Sequence, residues 1–482
     1  MTPAPRSTLD RAPDGQEFPR ASKREWALPF AVFGSVELVA AVAIPYIARH
    51  MWFYHDEWDF LADRTGGNLG DLFRPHNEHW STLPILAYRG LWQLFGLRHY
   101  APYLMLDVLL HLMVGALLLV ILKRCGVRPW LSVSAALMFV LFGSGYQDIA
   151  HAFQIGFVGS LVFGFAQLLF ADHQGALDRR DWLGLAAGAA GLLCSGIAVP
   201  MVVIVGVAAF LRRGLRVALF HTLPLGLVYV LWYAVIGHEG ISSVRVSVGG
   251  ILRFSYTGLV AEFRSLGQVP GVGVMLVVAL VVGSVRAWRG PLRPGRVPAS
   301  TAVPIACLVG LVAFLVISAT GRDAALGASY ARVSRYLHIE AAFLIVPLGV
   351  AAEALVRHRR LLLVPAIGVF LIGIPGNIAT FVRYEHRITF SEGLDRQEVL
   401  WAPRVGGVRR LSPTTRSTLT IQEFLPLHWL LAASAQGKVP SPDAGDINAR
   451  DTVERIIDKA ALADAIANSC QGTQCVHPAK RP

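Results

Sequence analysis

The stretch Leu183–Phe210, LGLAAGAAGLLCSGIAVPMVVIVGVAAF, decides how this chain is threaded. At about 28 residues it could form one tilted helix, since a span needs roughly 20. As a single crossing it would send every later basic cluster to the outer side. Splitting it at Cys194-Ser195-Gly196 into two short helices puts Lys123/Arg124/Arg128, Arg179/Arg180, Arg212/Arg213/Arg216, Arg286/Arg289/Arg293/Arg296 and Arg357/Arg359/Arg360 on one face. Lys and Arg gather on the cytoplasmic side of membrane proteins, so the split reading is preferred. Small residues at the break allow a tight turn, and Pro200 suits the first turn of the second helix. Irregular backbone at membrane depth requires shielding by protein or a wet cavity.

The whole chain fits a bilayer. Of its 482 residues 54% are hydrophobic and 16% charged, whereas soluble domains carry about 25% charged residues. Mean hydropathy is +0.50. Ala27–Ile47, Pro102–Leu122, Gly271–Val285 with its flanks, Ala302–Ala319 and Leu361–Ala379 are candidate spans. The first follows a polar head with Lys23 and Arg24 and no small-residue cleavage site, so it is read as a retained span. The expected fold is an all-α polytopic membrane protein of about eleven transmembrane helices. Its N-terminus is expected inside and its C-terminus outside. Residues 1–26 form a cytoplasmic tail, 27–380 the membrane domain, and 381–482 an extracytoplasmic region. The net charge of +12 is spread in short clusters between spans. That pattern sets topology and argues against a nucleic-acid partner. Cys470 and Cys475 suit a small-loop disulfide on an oxidising side, with free thiols or a metal pair as alternatives. Cys125, Cys194 and Cys307 read as packing residues.

Four segments then face outward: 49–100, 145–156, 238–270 and 320–336. The first begins with Tyr54-His55-Asp56-Glu57-Trp58-Asp59 and runs into Phe73-Arg74-Pro75-His76-Asn77-Glu78-His79-Trp80. Acids alone would mark only a wet loop, and aromatic residues alone an interfacial belt. Together they suggest a carboxylate partly desolvated beside rings, able to accept a proton. If helical, His76 and His79 would share a face and could bind a divalent cation with an acid from the Asp56 region; hydrogen-bonded loop histidines are the plainer alternative. Asp56, Glu78 and His79 are the metal candidates, with Mg or Mn as the ion.

The second outward loop brings Asp148 and His151. The fourth brings Arg332, Arg335 and Tyr336, where outward arginines oppose the charge rule and call for a phosphate at headgroup depth or simple snorkelling. In the third, Ile251–Leu266 reads as a helix lying along the membrane surface, with Arg253, Glu262 and Arg264 interleaved among its apolar positions. Within the spans, Glu37, Asp107 and His111 are costly in hydrocarbon. Asp107 and His111, at i and i+4, read as a structural pair or as part of a proton path.

The Asp56-Glu57 pair, the run Pro75-His76-Asn77-Glu78-His79, the external Ser334-Arg335-Tyr336 and the break near Ser195 resemble the GT-C superfamily of integral membrane glycosyltransferases. These include protein O-mannosyltransferases, lipid A aminoarabinose transferases and arabinosyltransferases. The resemblance covers roughly residues 27–380 and is architectural more than sequential. It implies an enzyme of the cell membrane that moves a sugar from a polyprenyl-phosphate carrier to an envelope glycan, lipid or protein. Asp56 or Glu57 would be the base, Tyr54, His55, His76, Asn77, Glu78, His79, Asp148 and His151 would line the site, and Arg332, Arg335 and Tyr336 would meet the lipid phosphate. The His-Pro-Pro-Leu run of the mannosyltransferase branch is replaced here by His-Asn-Glu-His-Trp. The competing reading is a secondary transporter or flippase of envelope precursors using Glu37, Asp107 and His111.

Overall fold

A computed structural model describes residues 22–53, 55–64, 68–240, 247–288, 292–357, 359–405, 425–442 and 450–458. Tyr54, Cys470 and Cys475 lie outside the described residues. The protein is all-helical in its regular elements, in the order α1 (Lys23–Ile47), α2 (Thr82–Phe95), α3 (Ala101–Arg124), α4 (Pro129–Val140), α5 (Gln147–Ala150), α6 (Ile155–Ala171), α7 (Arg179–Leu192) and α8 (Ala198–Arg213). There follow α9 (Leu215–Val235), α10 (Val248–Gly267), α11 (Val272–Ala287), α12 (Ala299–Leu326), α13 (Ser334–Val356), α14 (Leu363–Leu371), α15 (Ile374–Trp401) and α16 (Leu427–Ala435).

Seven helical stretches among the described residues are long and apolar enough to cross a bilayer, or eight if α10 and α11, bent by 109°, count as one broken span. The protein is a multi-pass membrane protein. The expectation of about eleven crossings exceeds that number because α4, α7 and α8 are short, with 12, 14 and 16 residues. At 1.5 Å per residue they reach about 18–24 Å, less than the roughly 30 Å hydrocarbon thickness. Helix α13 is the axis of the bundle, with 94% of its apolar window buried. Small residues let neighbours approach it: a Cβ on Gly283 of α11 would lie 2.3 Å from the Ala351 carbonyl oxygen of α13.

The break in Leu183–Phe210 is real. Helix α7 stops at Leu192 and α8 starts at Ala198, with Pro200 in its first turn. The tip meets the segment joining α1 to α2, where the Leu83 amide donates to the Leu193 carbonyl at 2.9 Å and the Gly196 amide donates to His79 Nδ1 at 3.3 Å. The basic clusters collect at the other end. There Arg128 grips Glu353 at 2.8 Å, Arg212 grips Asp172 at 2.6 Å, and Arg213 grips the buried Asp181 at 2.5 Å.

Helix α10 spans the stretch expected to lie on the surface, and its sharp angle to α11 fits that placement. Glu262, however, is not on its polar face. It is wholly buried, close enough to Glu340 of α13 for their charges to interact. The i, i+4 stripe Phe254, Gly258, Glu262 and Leu266 faces the bundle, and Glu262 shares that stripe with three apolar residues. Helix α15 runs unbroken past residue 380, carrying the last apolar stretch into the polar region. Helix α16 folds back on the first loop, where Trp429 packs on Trp92 at 4.9 Å and Trp58 at 6.5 Å.

Gly283→Val should lower the thermal midpoint of the detergent-purified protein by an amount equivalent to about 1–3 kcal/mol, because backbone rather than a mobile side chain blocks the new methyl groups. Gly34→Ala, with open space around its Cβ, should leave the midpoint unchanged.

Candidate active site

The loop between α1 and α2 is pinned by a buried ion network. A π-helical turn over Asp59–Asp63 follows Trp58. Asp59 Oδ2 accepts from His76 Nδ1 at 2.6 Å and pairs with Arg64 at 2.8 Å. Arg64 in turn donates to the Arg74 and Pro75 carbonyls at 2.8 and 2.9 Å, fastening the second half of the loop to the first. Burial pushes the Asp59 carboxyl up, but the His76 hydrogen bond and the Arg64 charge outweigh it and hold it below the usual carboxylate range. The sequence reading quoted Asp59 without giving it a role and passed over Arg64. The sequence offers little signal for the pair, because Asp63 directly precedes Arg64 and is an equally plausible partner by spacing.

His76 and His79 do not share a helix face. They oppose each other across a two-residue turn, each amide donating to the other's carbonyl at 2.9 Å. Asn77 adopts φ +49°, a left-handed conformation its short polar side chain tolerates. His55, at φ +44°, is a second left-handed non-glycine in the same loop. The turn sends the rings to different neighbours: His76 lies against Phe60 and Phe153, and His79 against Phe157. His79 Nε2 is 3.8 Å from Glu78 Oε1.

The two acids of the Asp56-Glu57 pair separate completely. Glu57 is 1% exposed and accepts from the Tyr88 hydroxyl at 2.6 Å and the Tyr100 hydroxyl at 3.4 Å. Asp56 keeps a side chain 29% exposed, 3.2 Å from His55 Nδ1 and 4.0 Å from His76 Nε2. Burial raises its pKa, but the His55 hydrogen bond and the charges of His76, His55 and Arg335 reverse this and hold it low. Arg335 is thus within electrostatic reach of Asp56, although about 280 positions separate them in the chain.

Other segments at the same end of the bundle complete the surface. Ser334 Oγ donates to the Ser144 carbonyl at 2.8 Å and accepts from the Gln147 amide at 3.1 Å, joining the second and fourth loops. Arg335 bonds the Tyr330 hydroxyl and lies near the Tyr330 and Tyr336 rings, while its Nε is buried without a hydrogen bond. His151 Nε2 is 2.5 Å from the hydroxyl of Tyr384, which stacks on Tyr146. Burial, with the Arg335 charge adding to it, brings the His151 pKa down to about 4. Asp148 is fully buried; burial pushes its carboxyl well up while Arg335 opposes the shift. Tyr384 belongs to α15 beyond the expected domain boundary, so its place here was not legible.

Arg332 points elsewhere. With Arg264, Thr257, Val260, Tyr256 and Leu337 it lines a cavity of about 310 Å³ between α10 and the start of α13. The Asp107–His111 pairing is not present. His111 contacts His338 at 2.9 Å and the Val140 carbonyl at 3.0 Å, and His338 Nδ1 lies 3.1 Å from Asp148. The carboxyl oxygens of Asp107 have no hydrogen-bond partner.

The metal candidates Asp56, Glu78 and His79 do not converge. Among the described residues the one group of at least three ligand atoms within 4.8 Å is His173, Asp178 and Asp181, at the opposite end. Its acids are already held by Arg180 at 2.7 Å and Arg213 at 2.5 Å, which disfavours a dication there.

No family model and no curated protein matches the chain. Among solved structures, ArnT from Cupriavidus metallidurans in the apo state aligns with a TM-score of 0.48. The identity is 14%, over 87% of this chain and 90% of that one.

Because Asp56 and Asp59 have pKa values below their ordinary ones, their ionised forms stabilise the folded loop at neutral pH. That contribution is complete above the unfolded carboxylate value of about 4 and is lost as pH falls through the lower folded values. Hydrogen exchange across residues 55–64 and 74–80 should therefore accelerate steeply below about pH 4. In Asp59→Asn it should already be fast at pH 7.

Proposed function

We propose that this chain is a membrane glycosyltransferase of GT-C type that takes a sugar from a polyprenyl-phosphate carrier and passes it to a hydroxyl of an envelope glycan, lipid or protein outside the cytoplasm. The observation that carries the proposal is that Asp56, partly open and with its ionised form favoured, lies within electrostatic reach of Arg335 at the end of the bundle opposite the basic clusters.

The chemistry follows from that pairing. A sugar phosphate brings its own leaving group, so the protein must place an acceptor oxygen on one side of C1 and positive charge on the other. Arg335 offers a guanidinium whose Nε has no hydrogen bond, suited to paired bonds with phosphate oxygens. Its charge acts where phosphate charge develops, which is worth more in a partly dehydrated site than in water. Asp56 receives the acceptor hydroxyl, and holding both substrates together supplies much of the acceleration. The cavity at Arg264 and Arg332 opens between a surface helix and the bundle, where the lipid end of the carrier would enter. Glu57, tied to two tyrosines, supports the loop rather than touching substrate. Among the described residues no metal-ligand group gathers at this end, so no step is routed through an ion.

A transporter or flippase has one observation in its favour, the buried track Asp148, His338 and His111 leading inward from the site. Proteoliposomes would separate the readings. Labelled polyprenyl-phosphate sugars should lose sugar to acceptor with wild-type protein, and Asp56→Asn should slow transfer by about 10²–10⁴-fold. Arg335→Gln should slow it by about 10²–10³-fold. Movement of intact label across the bilayer, insensitive to Asp56→Asn and abolished by His111→Ala, would favour transport instead.

A further inference from the structure

His76 is more elaborately built than a substrate-lining histidine needs to be. Its side chain is about one-tenth exposed and wedged between Phe60 and Phe153. Asp59 accepts from Nδ1 at 2.6 Å, and Arg64 holds Asp59 in turn. An Nδ1–H donated to a fixed carboxylate leaves Nε2 as the basic nitrogen, here accepting a long hydrogen bond from the exposed Asn77 amide that must swing away, and stabilises the imidazolium once Nε2 takes a proton. Nε2 lies 4.0 Å from Asp56 Oδ1 and 3.3 Å from Asn77 Nδ2. Closure of about 1 Å, well within a carboxylate rotation, would bring oxygen and nitrogen to hydrogen-bond distance.

Asp56 alone is a poor resting place for a proton, because its neighbours favour its ionised form. An imidazole is the side chain best matched to hold one near neutral pH. His55 also touches Asp56, at 3.2 Å, but its ring is 49% exposed and lacks the buried setting of His76.

Resting on the glycosyl-transfer reading, we propose that His76, positioned by Asp59, is the terminal acceptor of the proton that leaves the acceptor hydroxyl through Asp56. The C1–O bond to the donor phosphate breaks and its electron pair leaves with the phosphate. The acceptor oxygen forms the new bond to C1, and its proton passes by way of Asp56 Oδ1 to His76 Nε2. It returns to water after product release. The charged and titratable groups around His76 are Asp56, Asp59, Arg64 and, through Asp56, His55 and Arg335.

The test is the pH dependence of sugar transfer by the full-length protein in proteoliposomes. Wild type should lose activity toward acid along a limb set by imidazolium formation. His76→Gln should be slower and lose that limb, and millimolar imidazole should restore part of the rate. Asn77→Asp, at an exposed position whose left-handed backbone Asp also tolerates, sets a carboxylate beside Nε2 and should move the limb to higher pH. It should move nothing in the His76→Gln background. Asp59→Asn should move the limb to lower pH, and His55→Gln should keep it whatever its rate. A limb unchanged in both His76→Gln and Asn77→Asp, with wild type transferring sugar, overturns the inference alone. Absence of transfer by wild type with any polyprenyl-phosphate sugar overturns the underlying reading and the inference with it.

Discussion

Everything at this end of the bundle depends on one carboxylate shared between a guanidinium and an imidazole N–H. Asp59, poised between His76 and Arg64, converts a polar loop of about fifty residues into a fixed surface. A lone carboxylate at that burial would cost several kcal/mol. With both partners it binds the two halves of the loop, and Arg64 extends the tie to the backbone at Arg74 and Pro75. Removing Arg64 would leave Asp59 buried without its cationic partner, whereas removing His76 would cost one hydrogen bond and keep the Asp59–Arg64 pair.

That clamp matters because the membrane domain leaves little freedom elsewhere. The short α7–α8 pair reaches up to His79, and Ser334 ties α13 to the second loop. Helix α16 closes over Trp58 and Trp92. Four distant parts of the chain thus converge on one end, and Asp56 and Arg335 come within reach of each other without touching.

Much of this was legible in the residues, and the illegible parts have physical reasons. The break at Cys194-Ser195-Gly196 followed from charge placement alone, since a misplaced turn would invert every later loop. That Asp56, His76, His151 and Arg335 lie at one end of the bundle followed from unusual polarity at the ends of apolar segments. What pattern could not supply was direction. Adjacent residues Asp56 and Glu57 look equivalent as letters, yet one turns outward while the other is capped by Tyr88 and Tyr100. The spacing of His76 and His79 suggested a helix because i, i+3 is a helical interval, but Asn77 in a left-handed conformation makes it a reversal. Glu262 was read outward because charge usually is. Asp107 was assigned to His111 by proximity on one helix, while His338 from α13 claimed that histidine.

The central claim, that a phosphate-bearing sugar carrier binds with its phosphate at Arg335 and its anomeric carbon before Asp56, is open to direct observation. A structure of Asp56→Asn, chosen to stall turnover, with a bound polyprenyl-phosphate sugar should place phosphate oxygens within hydrogen-bond distance of the Arg335 guanidinium and C1 facing residue 56. Carrier phosphate seated at the basic clusters at the far end of the bundle, with none near Asp56 or Arg335, would contradict the account.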